Sequence, residues 1–255
     1  MRGWWQDFTD LVLPADCGGC GRARTALCEP CRRALCGAVP RRVRPWPAPP
    51  GLPVVHAAAP YADAVRAVLL AHKERGALVL AGALGEALAQ AVRAGAGPRQ
   101  DGGPLLLVPV PSARRATAAR GHDPVRRIAL AASRALRRDG VPARVLSVLR
   151  QRRAVADQSG LDARQRLVNL TGALDVFPGT ERLLATGRVV LVDDLMTTGA
   201  SLTEAARALR AVTRPQSAPV APGAERPRNG GSTGFLRTQA AVVAASPDSF
   251  EINRN

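Results

Sequence analysis

Two clusters of residues in this chain have the types and spacing that do chemistry. The first is Val189-Val190-Leu191-Val192-Asp193-Asp194-Leu195-Met196-Thr197-Thr198-Gly199-Ala200-Ser201. If the turn opens a helix, the backbone N–H groups of Thr197, Thr198, Gly199, Ala200 and Ser201 form an anion cradle aided by the helix dipole. Gly199 permits close backbone approach, and the hydroxyls add donors. Two carboxylates beside such a cradle would repel a phosphate. They suit the vicinal hydroxyls of a sugar, or the positioning of a divalent cation, so a phosphorylated ribose satisfies both halves of the motif. The plainer alternative is a capped helix that follows a tight Asp-Asp turn.

The second cluster is Cys17-x2-Cys20, seven intervening residues, then Cys28-x2-Cys31. Four thiolates in two close pairs suit tetrahedral Zn²⁺, and four cysteines leave no open position for catalysis. Gly21, directly after the first pair, can take the left-handed turn that aims backbone amides at sulfur. Disulfides are the alternative. Cys36 is left over as a free or buried thiol.

These residues need elements to hold them. Val189–Val192 is an apolar run suited to a strand buried on both faces, and Ser201–Arg210 has helical spacing with Leu202, Ala206 and Leu209 on one face. The acids then stand at the carboxyl end of a strand, where an open α/β sheet places its ligand site. Similar patterns predict helices over Ala62–Leu70, Leu78–Val92 and about Asp123–Arg137. Strands are expected at Leu105–Val110, Ala143–Leu149, Ala173–Val176 and Ala240–Ala244, with a polar exposed loop over Arg150–Gly160. Residues 1–40 read as a short helix plus the cysteine module, and 41–53 as an Arg/Pro-rich linker too proline-dense for regular structure. Residues 54–255 read as an α/β domain. Within it, residues 213–236 have linker composition and are predicted to be a disordered insertion before the last strand.

The 255 residues are 46% hydrophobic but only 3% aromatic, so the core must be built from Ala, Val and Leu. A net charge of +16 suits phosphate or nucleic-acid partners, yet nearly all of it is Arg, as a general compositional bias would also give. The N-terminal stretch carries Asp7 and Asp10, so no signal peptide is expected. The longest apolar stretch, Leu78–Val92, is broken by Glu86 and Gln90, so no membrane span is expected either. A reducing cytoplasm is the default compartment, and it favours zinc over disulfides. The histidines at 56, 72 and 122 look too dispersed for a metal site.

The Asp-Asp and Thr-Thr-Gly block resembles the 5-phosphoribosyl-1-pyrophosphate (PRPP) signature of type I phosphoribosyltransferases. By that resemblance Asp193 and Asp194, the catalytic pair, contact the ribose hydroxyls, while Thr197 to Ser201 hold the 5-phosphate. The implied reaction displaces pyrophosphate at the anomeric carbon through an oxocarbenium-like state, with Mg²⁺ chelated by substrate oxygens. Further blocks narrow the resemblance to the ComF (competence protein F) family. Pro109-Val110-Pro111, Arg115, Arg120 and Gly121 match one block, although His122 and Asp123 replace its usual Phe and Asn. That block implies a pyrophosphate loop with a guanidinium fork from Arg114 or Arg115. Gln158, Arg166 and Asn169 match a second block, where a flexible loop carrying Arg150, Arg152, Arg153 and Gln158 would close over the substrate. Tyr61 and Lys73 match a third. Lys73 is the single lysine of the chain, which hints at a role needing a compact ammonium toward PRPP.

The resemblance implies a mainly parallel sheet flanked by helices, with a small N-terminal zinc hood. It also implies PRPP, Mg²⁺ and Zn²⁺ as ligands, an unidentified acceptor, and a link to DNA uptake. The alternative is a non-catalytic accessory protein of natural transformation, bound to single-stranded DNA or to competence and recombination proteins.

Overall fold

The computed structural model describes residues 16–97, 103–112, 117, 121–153, 163–213 and 238–251. The helix expected within residues 1–14, together with Arg114, Arg115, Arg120, Gln158 and the segment 214–236, lies outside the described residues.

Apolar runs with no alternation become the inner strands of one sheet. Strands β1 (Arg41–Val43), β2 (Val54–Pro60), β3 (Leu105–Pro109), β4 (Ala143–Val145), β7 (Arg188–Met196) and β8 (Gln239–Ala245) form six strands in the order β1-β2-β8-β7-β3-β4. All neighbours are parallel except β1 against β2. β3 is buried along its whole length, and β8 is buried from Ala240 to Ala245, as a sheet covered on both faces requires. Its small side chains fill the interior in place of aromatics. Between β4 and β7 come β5 (Leu149–Gln151) and β6 (Leu174–Val176), which pair antiparallel as a separate two-stranded sheet.

Helices α1 (Glu29–Cys36), α2 (Asp63–Glu74), α3 (Ala81–Ala96) and α4 (Pro124–Arg138) pack with one apolar cluster. The second cluster lies on the other face of the sheet and takes in Leu202, Ala206 and Leu209 of α7 (Ala200–Thr213). The short helices α5 (Ala163–Leu170) and α6 (Glu181–Leu184) complete that side. α4 shows why the sequence folds as it does locally. Asp123 accepts a hydrogen bond from the Arg126 amide at 3.1 Å, Pro124 opens the helix, and Arg137 and Arg138 sit at its carboxyl end.

Four expectations need correction. The strand expected over Ala143–Leu149 is two strands in two sheets: after Leu146, whose amide donates to Leu107 O at 2.9 Å, the chain leaves the sheet edge for the β5–β6 hairpin. Arg150 and Gln151 are consequently strand residues, not loop. The proline-rich linker contributes β1, because prolines begin only after Val43 and the three residues before them can pair with β2. Finally, β7 continues two residues beyond Asp194, so the acids lie inside the strand near its end. The stretch Leu78–Ala96, with mean hydropathy 1.2, is long and apolar enough to cross a membrane by length and composition, yet over half of it is buried inside the fold.

Candidate functional site

Alternation along β7 decides where the two acids go. Val190 and Val192 belong to the cluster beneath α2–α4, and Val189 and Leu191 to the cluster beneath α7. The same alternation sends Asp194 toward α2, and there Lys73 Nζ donates to Asp194 Oδ2 at 3.0 Å. The Asp194 side chain is 6% exposed and that of Lys73 35%. Asp193 is also buried, and its Oδ1 accepts from the Asp194 amide at 2.9 Å. Burial first, then the adjacent Asp194 charge, holds the Asp193 carboxyl well above the usual carboxylate range.

The turn after β7 opens α7 at Ala200. Gly199 has φ +76°, and a Cβ there would lie 2.8 Å from Leu52 Cδ1. Conformation and space both demand glycine. The Ala200 amide reaches Thr198 Oγ1 at 3.5 Å, and Arg166 Nη1 on α5 donates to Thr197 Oγ1 at 3.3 Å. Arg166 Nε is buried and has no hydrogen-bond partner among the described residues. Strand, acids, hydroxyl turn and helix start therefore adjoin as expected, with Lys73 and Arg166 brought in from elements distant in sequence.

Arg150 and Arg153 are engaged elsewhere. Arg150 pairs with Asp175 across the hairpin at 3.3 Å and lies over the Phe177 ring at 5.3 Å. Arg153 donates to the carbonyls of Asn169 and Thr171 at 2.7 and 3.0 Å. Arg152 is exposed.

Two features escaped the sequence. His72 and His122 pack edge to face with ring centroids 6.1 Å apart, so two of the three histidines adjoin, although among the described residues only the cysteines cluster as metal ligands. Burial lowers the His72 pKa. Glu204 is the other: one oxygen accepts from the Leu174 amide at 3.0 Å and from Arg207 Nη2 at 2.8 Å, the other from Arg207 Nε at 2.8 Å. Burial opposes its charge, but these donors hold its pKa below the ordinary glutamate value. This clamp ties β6 to α7 beside the turn.

The cysteine module folds as a tight knuckle. The Cys17 amide donates to Arg22 O at 2.7 Å and the Gly21 amide to Cys17 O at 2.9 Å, with Gly21 at φ +76°. The sulfurs of Cys17, Cys20, Cys28 and Cys31 all lie within 4.8 Å of one another. Cys28 Sγ is 3.6 Å from that of Cys17 and 3.5 Å from that of Cys20, and all four thiols are free. A tetrahedral ion with metal–sulfur bonds of about 2.3 Å places sulfurs roughly 3.8 Å apart, so the four could hold a metal. Burial opposes ionisation of Cys17, but amides of Cys28, Cys20 and Gly19 pull its pKa down to about 6. Burial and the neighbouring sulfurs push Cys31 upward. The module packs on α2 and the start of α3: a Cβ on Gly18 would meet Leu80 at 2.7 Å, and one on Gly19 would meet Cys31 Sγ at 2.6 Å.

No family model and no curated protein matches the chain.

Proposed function

We propose that the β7–α7 turn binds PRPP and that the chain is a phosphoribosyltransferase-like protein of the ComF type. The observation that carries this is the juxtaposition, at the ends of parallel strands, of a buried and electrostatically crowded Asp193–Asp194 pair with the amide-rich start of α7. The six-stranded, mostly parallel order is compatible with that fold. The amides of Thr197 to Ser201 receive the 5-phosphate, and Arg166, already on Thr197, adds positive charge there. Asp193 and Asp194 accept hydrogen bonds from the ribose hydroxyls. Bound together with PRPP, Mg²⁺ would supply charge neutralisation for the pyrophosphate leaving group. Lys73 neutralises Asp194 in the free protein; as ribose hydroxyls take its place, its ammonium becomes available to pyrophosphate oxygens. An acceptor nucleophile then bonds to the anomeric carbon as the bond to pyrophosphate breaks.

Titration calorimetry with PRPP and Mg²⁺, followed by assay of pyrophosphate release across candidate acceptors, tests this reading. Saturable PRPP binding is expected, and no heat or displacement at millimolar PRPP would sink it. Cys17, Cys20, Cys28 and Cys31 are assigned a structural zinc on their sulfur geometry. Elemental analysis should find about one zinc per chain, lost in Cys17→Ser and Cys28→Ser; full retention in both contradicts the assignment.

One observation favours the second reading, single-stranded DNA binding. Trp46 is 92% exposed, beside Arg41, Arg42 and Arg44, a combination of stacking surface and positive charge. Anisotropy with an oligonucleotide should then fall steeply with salt and weaken in Trp46→Ala. Affinity indifferent to both removes this reading.

A further inference from the structure

A second place in the molecule has the chemistry of a ligand site, and none of its residues belongs to the β7–α7 turn. Helices α3 and α4 touch closely because Gly85 lacks a side chain: a Cβ there would lie 2.4 Å from Ala131 Cβ and 2.8 Å from its carbonyl carbon. Beside this contact opens a groove of about 630 Å³, within the range of small-molecule sites, which runs from about 300 to 1,000 Å³. One wall is the outer row of α4, where Arg126, Arg127, Arg134 and Arg138 are all exposed. Spacings of seven and four residues from Arg127 through Arg134 to Arg138 keep these three on one face. From the first to the last they span about 16 Å along the axis. The floor is apolar: Leu78, Leu130 and Ala131 line it, and Leu78 is 37% exposed. Gly82 stands open over this floor, with nothing beyond its own helix backbone and chain neighbours within 4 Å of where its Cβ would be.

The acids of the groove cancel this charge only in part. Glu86 is held by Arg32 at 2.7 Å and Arg138 at 3.7 Å, and Asp123 is engaged by the Arg126 amide. Among the described residues Arg126, Arg127 and Arg134 have no ion-pair partner. A bare anion would satisfy the arginines and leave the floor wet. A long polyanion would run past a bounded groove. The combination of guanidinium forks with a small apolar floor fits a ligand that carries several adjacent phosphates and one flat apolar group.

We propose that the α3–α4 groove binds a nucleoside di- or triphosphate, with the phosphates on Arg127 and Arg134 and the base over Leu78, Gly82 and Leu130. The test uses the full chain, with saturating PRPP present, and follows fluorescence anisotropy of ATP carrying an N-methylanthraniloyl label. Gly82→Leu fills the groove from an open helical position that tolerates the larger residue, and Arg127→Gln with Arg134→Gln removes the charge without filling it. Each should weaken binding by at least about tenfold, as loss of charge-assisted hydrogen bonds or of the base contact implies. Unlabelled ATP should displace the probe at concentrations at least tenfold lower than tripolyphosphate or adenosine. Equal binding to both variants, equal competition by tripolyphosphate, or binding of a twenty-nucleotide single strand alone would overturn the proposal. If Gly82→Leu fails to fold by thermal melting, the paired arginine variant decides alone. PRPP binding measured separately on the same variants should stay unchanged, so failure here and failure at the β7–α7 turn are distinguishable.

Discussion

Two acidic groups on one βα unit meet opposite environments. Glu204 in α7 is buried and saturated, with both carboxylate oxygens taking donors from Arg207 and one from the Leu174 amide, and its pKa is lowered. The Asp193–Asp194 pair in β7 is equally buried, yet it has Lys73 on one oxygen of Asp194, while burial and mutual repulsion raise Asp193. A saturated buried carboxylate adds to the fold's stability. A crowded one subtracts from it, and persists where a ligand will relieve it. On the proposed function, the difference separates a strut from a site.

The largest effect should come from cutting the strut. Glu204→Ala leaves the Leu174 amide unpaired and frees Arg207, at a cost of about 2–3 kcal/mol, moderated by the half-exposed guanidinium. Melting temperature should fall by roughly 5–10 °C. A shift under one degree would show that the clamp is not what holds β6 to α7. Because the folded pKa of Glu204 lies below its unfolded value, its contribution is present above about pH 4.5. It should vanish as pH falls through the folded pKa, and Glu204→Ala should flatten that part of the stability profile.

Lys73→Met comes next. It leaves Asp194 buried without its ammonium, for a loss of about 1 kcal/mol once solvent screening of the partly exposed lysine is allowed for. On the proposed function, PRPP affinity falls more than stability does, and Lys73→Arg restores stability without restoring affinity, since a planar fork does not replace a compact ammonium. Full recovery of affinity by arginine would show that only charge matters.

The smallest effect has the opposite sign. Asp193 has a folded pKa above its unfolded one, so its ionisation destabilises the fold as pH rises through the folded value. Asp193→Asn should raise stability slightly at pH 7.5 and leave it unchanged at pH 3.5, where the native carboxyl is protonated. Denaturant melts at the two pH values provide the check, and destabilisation at pH 7.5 would place Asp193 among the struts.

What the sequence revealed follows from how local each feature is. β7 and α4 were legible because an unbroken apolar run and an arginine-faced amphipathic stretch state their environment within a few residues. The cysteine knuckle was legible for the same reason: ligand spacing is local, and Gly21 takes the left-handed turn its position suggested. The pairing of residues 143–151 was not, because the same β-forming residues suit either sheet and only the edge position beside β3 ends the first strand. Lys73 stood out as the lone lysine, but its partner is 121 residues away. Glu204 reads as the polar side of an ordinary helix until β6 is laid against α7. His72 and His122 meet only because α2 and the start of α4 share one face of the sheet.

The central claim is that Asp193 and Asp194 are kept for a ligand. The most direct test is to replace both with asparagine and take thermal melts and PRPP–Mg²⁺ titrations on the same samples. Volume and most hydrogen-bonding capacity remain while both charges go. The double variant is expected to melt at or above the wild-type temperature and to bind PRPP at least tenfold more weakly, the loss of one or more charge-assisted hydrogen bonds of about 1.5–3 kcal/mol each. A folded double variant with wild-type PRPP affinity would contradict the account.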